Sequence, residues 1–220
     1  MLDGNFRKSV DTVTAPIGRW LVRIGFSADV LTGSGLVFAC ATAWAIGAGY
    51  LYLAIVLLTL TGFHDLFDGP VAKASHRASQ RGSFFDSVVD RVSDGVLMGG
   101  VAFYLVARHH GQLVLLPFAI LTMSFMISYQ RSKAESLGLK AKGGLMERAE
   151  RMVLLGAAML WAPMFIPGLW LILALTTMTA AGRFWRVWQI AAAPEPAPTS
   201  SMRHLQANRL RRGLSRTSRH

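Results

Sequence analysis

Six stretches of largely apolar residues follow one another along the chain with only short connections between them. They are residues 30–49, 50–72, 84–107, 112–130, 149–165 and 168–190, each close to the roughly 20 residues a helix needs to cross a bilayer. Several of the connections carry turn residues: Gly47 to Gly49, Gly111, Pro163, and Pro167 with Gly168. Hydrophobic residues make up 52% of the chain and charged ones 16%, against about 25% charged in a soluble domain. A soluble globular chain and a disordered one are both excluded on that ground. A disulfide scaffold is excluded as well, because Cys40 is the single cysteine. The fold class expected is an all-α integral membrane protein with six transmembrane helices.

Three regions are expected. Residues 1–28 hold Val13, Ile17, Trp20, Leu21 and Ile24 at helical spacing with Arg19 and Arg23 between them, a pattern that suits an amphipathic helix in the membrane interface. Residues 29–190 form the six-helix membrane domain. Residues 191–220 begin with a Pro/Ala/Ser-rich linker and end in an arginine-rich tail, read as disordered and held near anionic headgroups. No stacking aromatics accompany those arginines, so nucleic acid is not expected as a partner. With six spans and both termini cytoplasmic, every Lys and Arg except Arg108 falls on the cytoplasmic side. The expected location is therefore the cell membrane, multi-pass, with the active site at the cytoplasmic face. The net charge of +11 points to anionic partners, lipid or phosphorylated substrate.

The carboxylates are concentrated where an apolar chain can least accommodate them. Asp65, Asp68, Asp86, Asp90 and Asp94 all fall at the end of the second span and the start of the third, and ionisable groups at membrane depth usually serve function. Asp65 and Asp68 are three apart; Asp86, Asp90 and Asp94 are each four apart. Each set therefore shares one helix face. Two antiparallel helices can bring the faces together, and hard oxygen donors gathered in this way suit Mg²⁺ or Mn²⁺, one ion or a pair, with two expected. Lys73, Arg77 and Arg81 add positive charge suited to a diphosphate. Gly69 and Gly82 allow a ligand to approach the backbone. Asp94, one turn deeper, is expected to contact a neighbouring helix rather than metal. His64 is expected to make a local hydrogen bond, and Glu147 and Glu150 to pair with Arg148, Arg151 or nearby cations. Two other uses of the carboxylates are a carboxylate–arginine network tying two helices together and a non-enzymatic cation carrier.

The stretch Asp65-Leu-Phe-Asp68-Gly69-Pro-Val-Ala72-Lys73, eight further residues, then Gly82-Ser-Phe-Phe-Asp86-Ser-Val-Val-Asp90 resembles the signature of the CDP-alcohol phosphotransferases. Every spacing fits, and each fixed position matches except Lys73, where that family has Arg. Lysine offers a point charge in place of a planar fork, so it would hold the nucleotide differently. Over most of residues 10–190 the chain is most similar to the actinobacterial phosphatidylinositol phosphate synthases. The segments that carry this are Ala28 to Thr32, Asp90 to Gly95, Ile127 to Tyr129, Ala134-Glu135 and Glu147 to Arg151.

The resemblance implies an enzyme that transfers a phosphatidyl group from CDP-diacylglycerol to inositol 1-phosphate and releases CMP. Asp65, Asp68, Asp86 and Asp90 would ligate metal, and Asp90 would also accept the proton. Asp29, Val30, Leu31, Thr32, Gly69, Lys73, Ser79 and Gly82 would bind CDP-diacylglycerol. Arg131, Arg151 and Arg183 would hold the acceptor's phosphate. A homodimer is implied too. The alternatives are a phosphatidylglycerophosphate synthase using glycerol 3-phosphate and, in other classes, a metal-dependent prenyltransferase or the cation carrier. A prenyltransferase would need other Asp spacings and has no use for the Gly69–Gly82 frame.

Overall fold

The computed structural model describes residues 16–74, 79–108, 111–139 and 143–192, with the side chains of Asp68, Ala72 and Lys73 set aside. The expectations for residues 1–15, for Arg77 and for the linker and tail from residue 193 onward lie outside the described residues. Everything described is helical or connecting. Residues 16–23 form α1, followed by α2 (Ala28–Gly47), α3 (Leu51–Ala74), α4 (Gln80–Ala107), α5 (Leu115–Ser136), α6 (Arg148–Met159) and α7 (Phe165–Ala192). Single 3₁₀ turns at Gly111–Val114 and Ala162–Met164 lead into α5 and α7.

Local chemistry sets the boundaries. The Ser27 hydroxyl caps α2 by accepting from the Val30 amide at 3.2 Å, and Ser79 caps α4 by accepting from the Gly82 amide at 3.0 Å. The link from α2 to α3 turns at Gly49, where φ is +86°, a conformation glycine adopts without strain. Polar side chains inside the bundle satisfy themselves within their own helix. Thr42, Thr61, Ser124, Thr176 and Thr179 each donate to the carbonyl four residues back.

α2 packs along both α3 and α4, while α3 also meets α6 and α4 meets α5. The core between them is made of small and aliphatic residues, among them Ala39, Ile46, Leu58, Leu97, Val101 and Leu169. An edge-to-face pair, Tyr104 with Phe165 at 5.1 Å, joins α4 to α7. Close approach depends on glycine at two crossings. A Cβ on Gly100 would collide with the backbone of Ala43, and one on Gly168 with the Ala158 side chain, as in small-residue packing of membrane helices. Large apolar side chains such as Trp44, Tyr52, Phe103 and Val153 face outward, as expected where the surroundings are lipid rather than water.

The expected six spans are not what forms. Among the described residues, four helices are long and apolar enough to cross a membrane: Ala28–Gly47, Leu51–Val71, Gly111–Ser136 and Ala162–Ala192. The third and fifth expected spans fail for different reasons. α4 is long enough, but Arg81, Asp86, Asp90, Arg91 and Asp94 crowd its first half. α6 has only 12 residues, or about 18 Å of helix against a hydrocarbon core of about 30 Å. The six-span count that put both termini in the cytoplasm therefore falls. In α1, Ile17 and Trp20 are exposed, as is Ile24 just after it, and Gly18 lies so close to Pro70 of α3 that a Cβ would sit 3.0 Å from it.

The glycine crossing can be tested with a neighbour as control. Gly100→Val should destabilise the protein by about 1–3 kcal/mol through overpacking against Ala43. Gly99→Val, where a Cβ meets nothing within 4 Å, should cost far less. Thermal unfolding of the two variants in the same detergent compares them directly.

Candidate active site

Three helices contribute the charged centre. Asp65 comes from the second half of α3, Asp90 and Asp94 from the first half of α4, and Arg148 from the first residue of α6. The Arg148 Nη1 donates to both Asp65 Oδ2 and Asp90 Oδ1, and its Nε donates to Asp94 Oδ1 at 3.3 Å. Arg151, one turn along α6, donates from Nη2 to Asp94 Oδ2 at 2.7 Å. Asp90 also lies 3.6 Å from Arg91. The two faces expected from the Asp spacings therefore meet, with a guanidinium between them.

This arrangement bears on metal binding. Two carboxylates share a single cationic nitrogen, so Asp65 and Asp90 are close enough to share an ion, and their oxygens suit a hard divalent one. Asp86 is half-buried and forms no ion pair among the described residues. The Asp68 side chain lies outside the described set. Among the described residues, no three His, Cys, Asp or Glu side chains converge closely enough to hold an ion. Asp65 and Asp90 offer hard oxygen donors of the kind a divalent cation takes, and in this structure the guanidinium of Arg148 lies between them.

The electrostatics follow from the burial of these groups. Desolvation pushes the Asp90 carboxyl up to about 6 from an ordinary 3.8; Arg148 opposes the shift, and the negative charges of Asp86 and Asp65 add to it. Burial works against the charge on Arg148, but Asp65, Asp90 and Asp94 outweigh it and raise its pKa.

A second group of charges adjoins the first. Arg131 of α5, Arg151 of α6 and Arg183 of α7, the three arginines expected in one pocket, line a cleft of about 130 Å³ that also includes Asp90 and Arg148. Arg183 is 2% exposed. It donates to the Ile127 carbonyl at 3.0 Å, the Gly143 carbonyl at 3.4 Å and Glu147 Oε1 at 3.1 Å. Its buried Nε has no hydrogen bond among the described residues. Arg131 is more exposed and pairs with Glu135 on its own helix at 3.1 Å. Glu147 thus pairs with Arg183, while Arg148 and Arg151 both turn to Asp94.

The residues expected at the nucleotide lie at the same end of the bundle. A Cβ on Gly82 would meet the Ser79 hydroxyl at 3.4 Å and Asp29 Oδ1 at 3.7 Å, so the starts of α2 and α4 are adjacent. Around Gly69, nothing lies within 4 Å of a Cβ position. Asp29 and Val30 are exposed, whereas Leu31 and Thr32 are buried, with the Thr32 hydroxyl donating to the Ala28 carbonyl. The Lys73 side chain is outside the described set. Between α3 and α6 runs an apolar groove of about 730 Å³, lined by residues such as Leu58, Phe63, Met152 and Val153, with Asp65 and Arg148 at its polar end. His64 makes the expected local bond, Nδ1 to the Leu60 carbonyl at 2.8 Å.

The sequence profile of the CDP-alcohol phosphatidyltransferases matches residues 26–188. The chain belongs to that family. It is 36% identical over 180 residues to the archaetidylinositol phosphate synthase of Methanothermobacter thermautotrophicus, covering 76% of this chain and 86% of that one. The crystal structure of Mycobacterium tuberculosis phosphatidylinositol phosphate synthase with CDP-DAG bound superposes with a TM-score of 0.74 at 27% identity, over 85% of this chain and 98% of that one. The same Mycobacterium protein in complex with manganese and citrate gives 0.71 at 28% identity, over 84% and 92%. The chain is thus a multi-pass membrane enzyme of the phosphatidyltransferase class.

Sequence reasoning placed the aspartates on their faces but missed Arg148 as their partner. Its signal was present: Arg148 and Arg151 are three apart and so share a helix face, matching a pair of aspartates, Asp90 and Asp94, four apart on another. The charge on Asp90 gives a test. A carboxyl with a raised pKa contributes its stability below the ordinary value and loses it as pH rises through about 6. In chelator-treated protein, the Tm of Asp90→Asn relative to wild type should therefore climb between pH 5 and 7.5. A constant difference across that range would show that Asp90 is not held as described.

Proposed function

We propose that this chain transfers the phosphatidyl group of CDP-diacylglycerol to the hydroxyl of inositol 1-phosphate, giving phosphatidylinositol phosphate and CMP. The observation that carries the reading is the cleft in which Arg131, Arg151 and Arg183 surround space next to Asp90. Three guanidinium groups suit an acceptor that itself bears a phosphate. The names of the relatives support inositol phosphate over glycerol phosphate, since the archaeal and mycobacterial enzymes differ in the lipid named and agree on the inositol phosphate.

The donor's acyl chains would lie in the apolar groove between α3 and α6, which brings its diphosphate to the polar end at Asp65. Asp29, Val30, Leu31, Thr32, Gly69, Lys73, Ser79 and Gly82 would form the nucleotide side. Divalent ions held by Asp65, Asp68, Asp86 and Asp90, Mg²⁺ or Mn²⁺ and two in number, would neutralise the diphosphate and the departing CMP. The mycobacterial manganese complex supports the use of a divalent metal. Arg131, Arg151 and Arg183 would fix the acceptor through its phosphate, and the buried Nε of Arg183 would gain a partner there. Asp90 would take the proton from the attacking hydroxyl as the new P–O bond forms and the bond to CMP breaks.

The active site would face the cytoplasm. The described arginines and lysines gather at the site's end of the bundle, while Arg108 sits at the other end beside Gly49, and excess positive charge marks the cytoplasmic side. Membrane lipids surround the chain, and a homodimer is the assembly the family resemblance implies.

The test is CMP release from purified protein with CDP-diacylglycerol and Mg²⁺, given inositol 1-phosphate, glycerol 3-phosphate and free inositol in parallel. Turnover is expected with inositol 1-phosphate, and preferential turnover with glycerol 3-phosphate would replace it as acceptor. Asp90→Asn should lower kcat by about 10²- to 10⁴-fold without loss of expression. Arg131→Gln should raise KM for the phosphorylated acceptor by about tenfold or more, the worth of one hydrogen bond between charged groups, with KM for CDP-diacylglycerol little changed.

A further inference from the structure

Arg148 occupies a position that neither a metal site nor a phosphate pocket explains alone. Its Nη1 takes one oxygen from Asp65 and one from Asp90, two of the carboxylates proposed to bind metal. Its side chain also lines both the apolar groove on the donor side and the arginine cleft on the acceptor side. We propose that Arg148 links the two halves of the site. It acts as the internal counter-ion of Asp65 and Asp90 until divalent metal takes those oxygens, then turns its guanidinium into the cleft to meet the acceptor's phosphate. This rests on the phosphatidyltransferase reading and assigns a positioning residue within it.

Three observations support the movement. The oxygens that Nη1 holds cannot also be presented fully to a divalent ion, and a guanidinium left between them would repel that ion. The guanidinium has a second attachment. Nε bonds Asp94 at 3.3 Å, and Asp94 is held in turn by Arg151 at 2.7 Å. The Nη end can leave while the Nε end stays, so a short rotation suffices. The cleft already contains Arg91, Arg131, Arg151 and Arg183, against Glu147, Asp90 and Asp94. A fifth arginine turned fully into it is favoured only when an anion is bound there.

Metal and phosphate are therefore linked through one side chain. Metal at the aspartates frees Arg148 for the phosphate, and phosphate in the cleft draws Arg148 off the aspartates. Linkage requires each to raise the affinity of the other by the same factor. A purely structural ion pair would do the opposite, because its loss would scatter the aspartates and weaken metal binding.

The experiment measures Mn²⁺ affinity of the full chain in detergent from the EPR signal of free Mn²⁺, with and without saturating inorganic phosphate at matched free Mn²⁺. In wild type, phosphate should tighten Mn²⁺ binding by about fivefold or more. Without phosphate, Arg148→Met should bind Mn²⁺ about tenfold more tightly than wild type, and its gain from phosphate should shrink to less than about twofold. Arg148→Lys, whose charge cannot bridge both carboxylates and Asp94, should fall between them and serves in place of Arg148→Met if that variant does not fold. No phosphate effect in wild type overturns the proposal. So does a folded Arg148 variant that binds Mn²⁺ no more tightly than wild type. Mn²⁺ binding and CMP release without this linkage would sink the role of Arg148 alone, whereas no Mn²⁺ binding in any form would sink the phosphatidyltransferase reading with it.

Discussion

The bundle is organised around one partly buried cation, Arg148. Asp65, Asp90 and Asp94 come from two helices of an apolar chain, and ionised carboxylates in such surroundings are tolerated only with a counter-charge at hydrogen-bond distance. Arg148 supplies it from a third helix, with 18% of its side chain exposed. The contact fixes where α6 sits against α3 and α4, and thereby positions both the groove that opens beside Asp65 and the cleft that opens beside Asp90. A buried ion pair adds little net stability over a well-packed apolar one, yet removing one partner is costly. Its value here lies in fixing α6 against α3 and α4 and in holding the three carboxylates together.

The rest of the fold keeps that end of the molecule rigid. Gly100 lets α4 lie directly on the Ala43 backbone, so the paired helices diverge little along their length. Asp29, Ser79 and Gly82 are drawn together where they begin. On the far side, the carbonyls of Ile127 and Gly143 and the carboxylate of Glu147 hold Arg183 in place. Two of its three described partners are neutral carbonyls and the third, Glu147, places one counter-charge beside the guanidinium. Arg131 and Arg151 also keep partners, Glu135 and Asp94, that hold them in place.

How much of this was legible in the sequence depended on the range of the interaction involved. Asp86, Asp90 and Asp94 share a face because of spacing within one helix, and helical periodicity is enough to read that. The bond of His64 to the Leu60 carbonyl is equally local. Arg131, Arg151 and Arg183 lie on three helices, and no pattern within the chain says that they meet; only the family resemblance pointed there. Arg148 had a visible pattern with Arg151, but its partners are 54, 58 and 83 residues away. Pairing it with Glu147 or Glu150 followed from sequence proximity, whereas the packing of α6 on α3 and α4 made the aspartates its partners instead.

The miscounted spans have the same origin as the site. A window over 84–107 or 149–165 looks apolar because its later residues dominate the average, while its charged residues gather at the opening turns. Those charges are Asp86, Asp90, Arg91 and Asp94 on α4, and Arg148, Glu150 and Arg151 on α6. Of these, Asp90, Arg91, Asp94, Arg148 and Arg151 build the carboxylate centre and the arginine cleft. A helix that must bring four or five charges to a shared site cannot also be uniformly apolar over about 20 residues. The two helices that fall short of a spanning composition are therefore the two that carry most of the chemistry. Ala28–Gly47 and Gly111–Ser136 contribute fewer charged groups to the site and keep the composition of ordinary spans. Leu51–Val71 and Ala162–Ala192 tolerate theirs because Asp65 and Arg183 lie toward their ends. Departure from the apolar pattern is thus itself a marker of function in this chain.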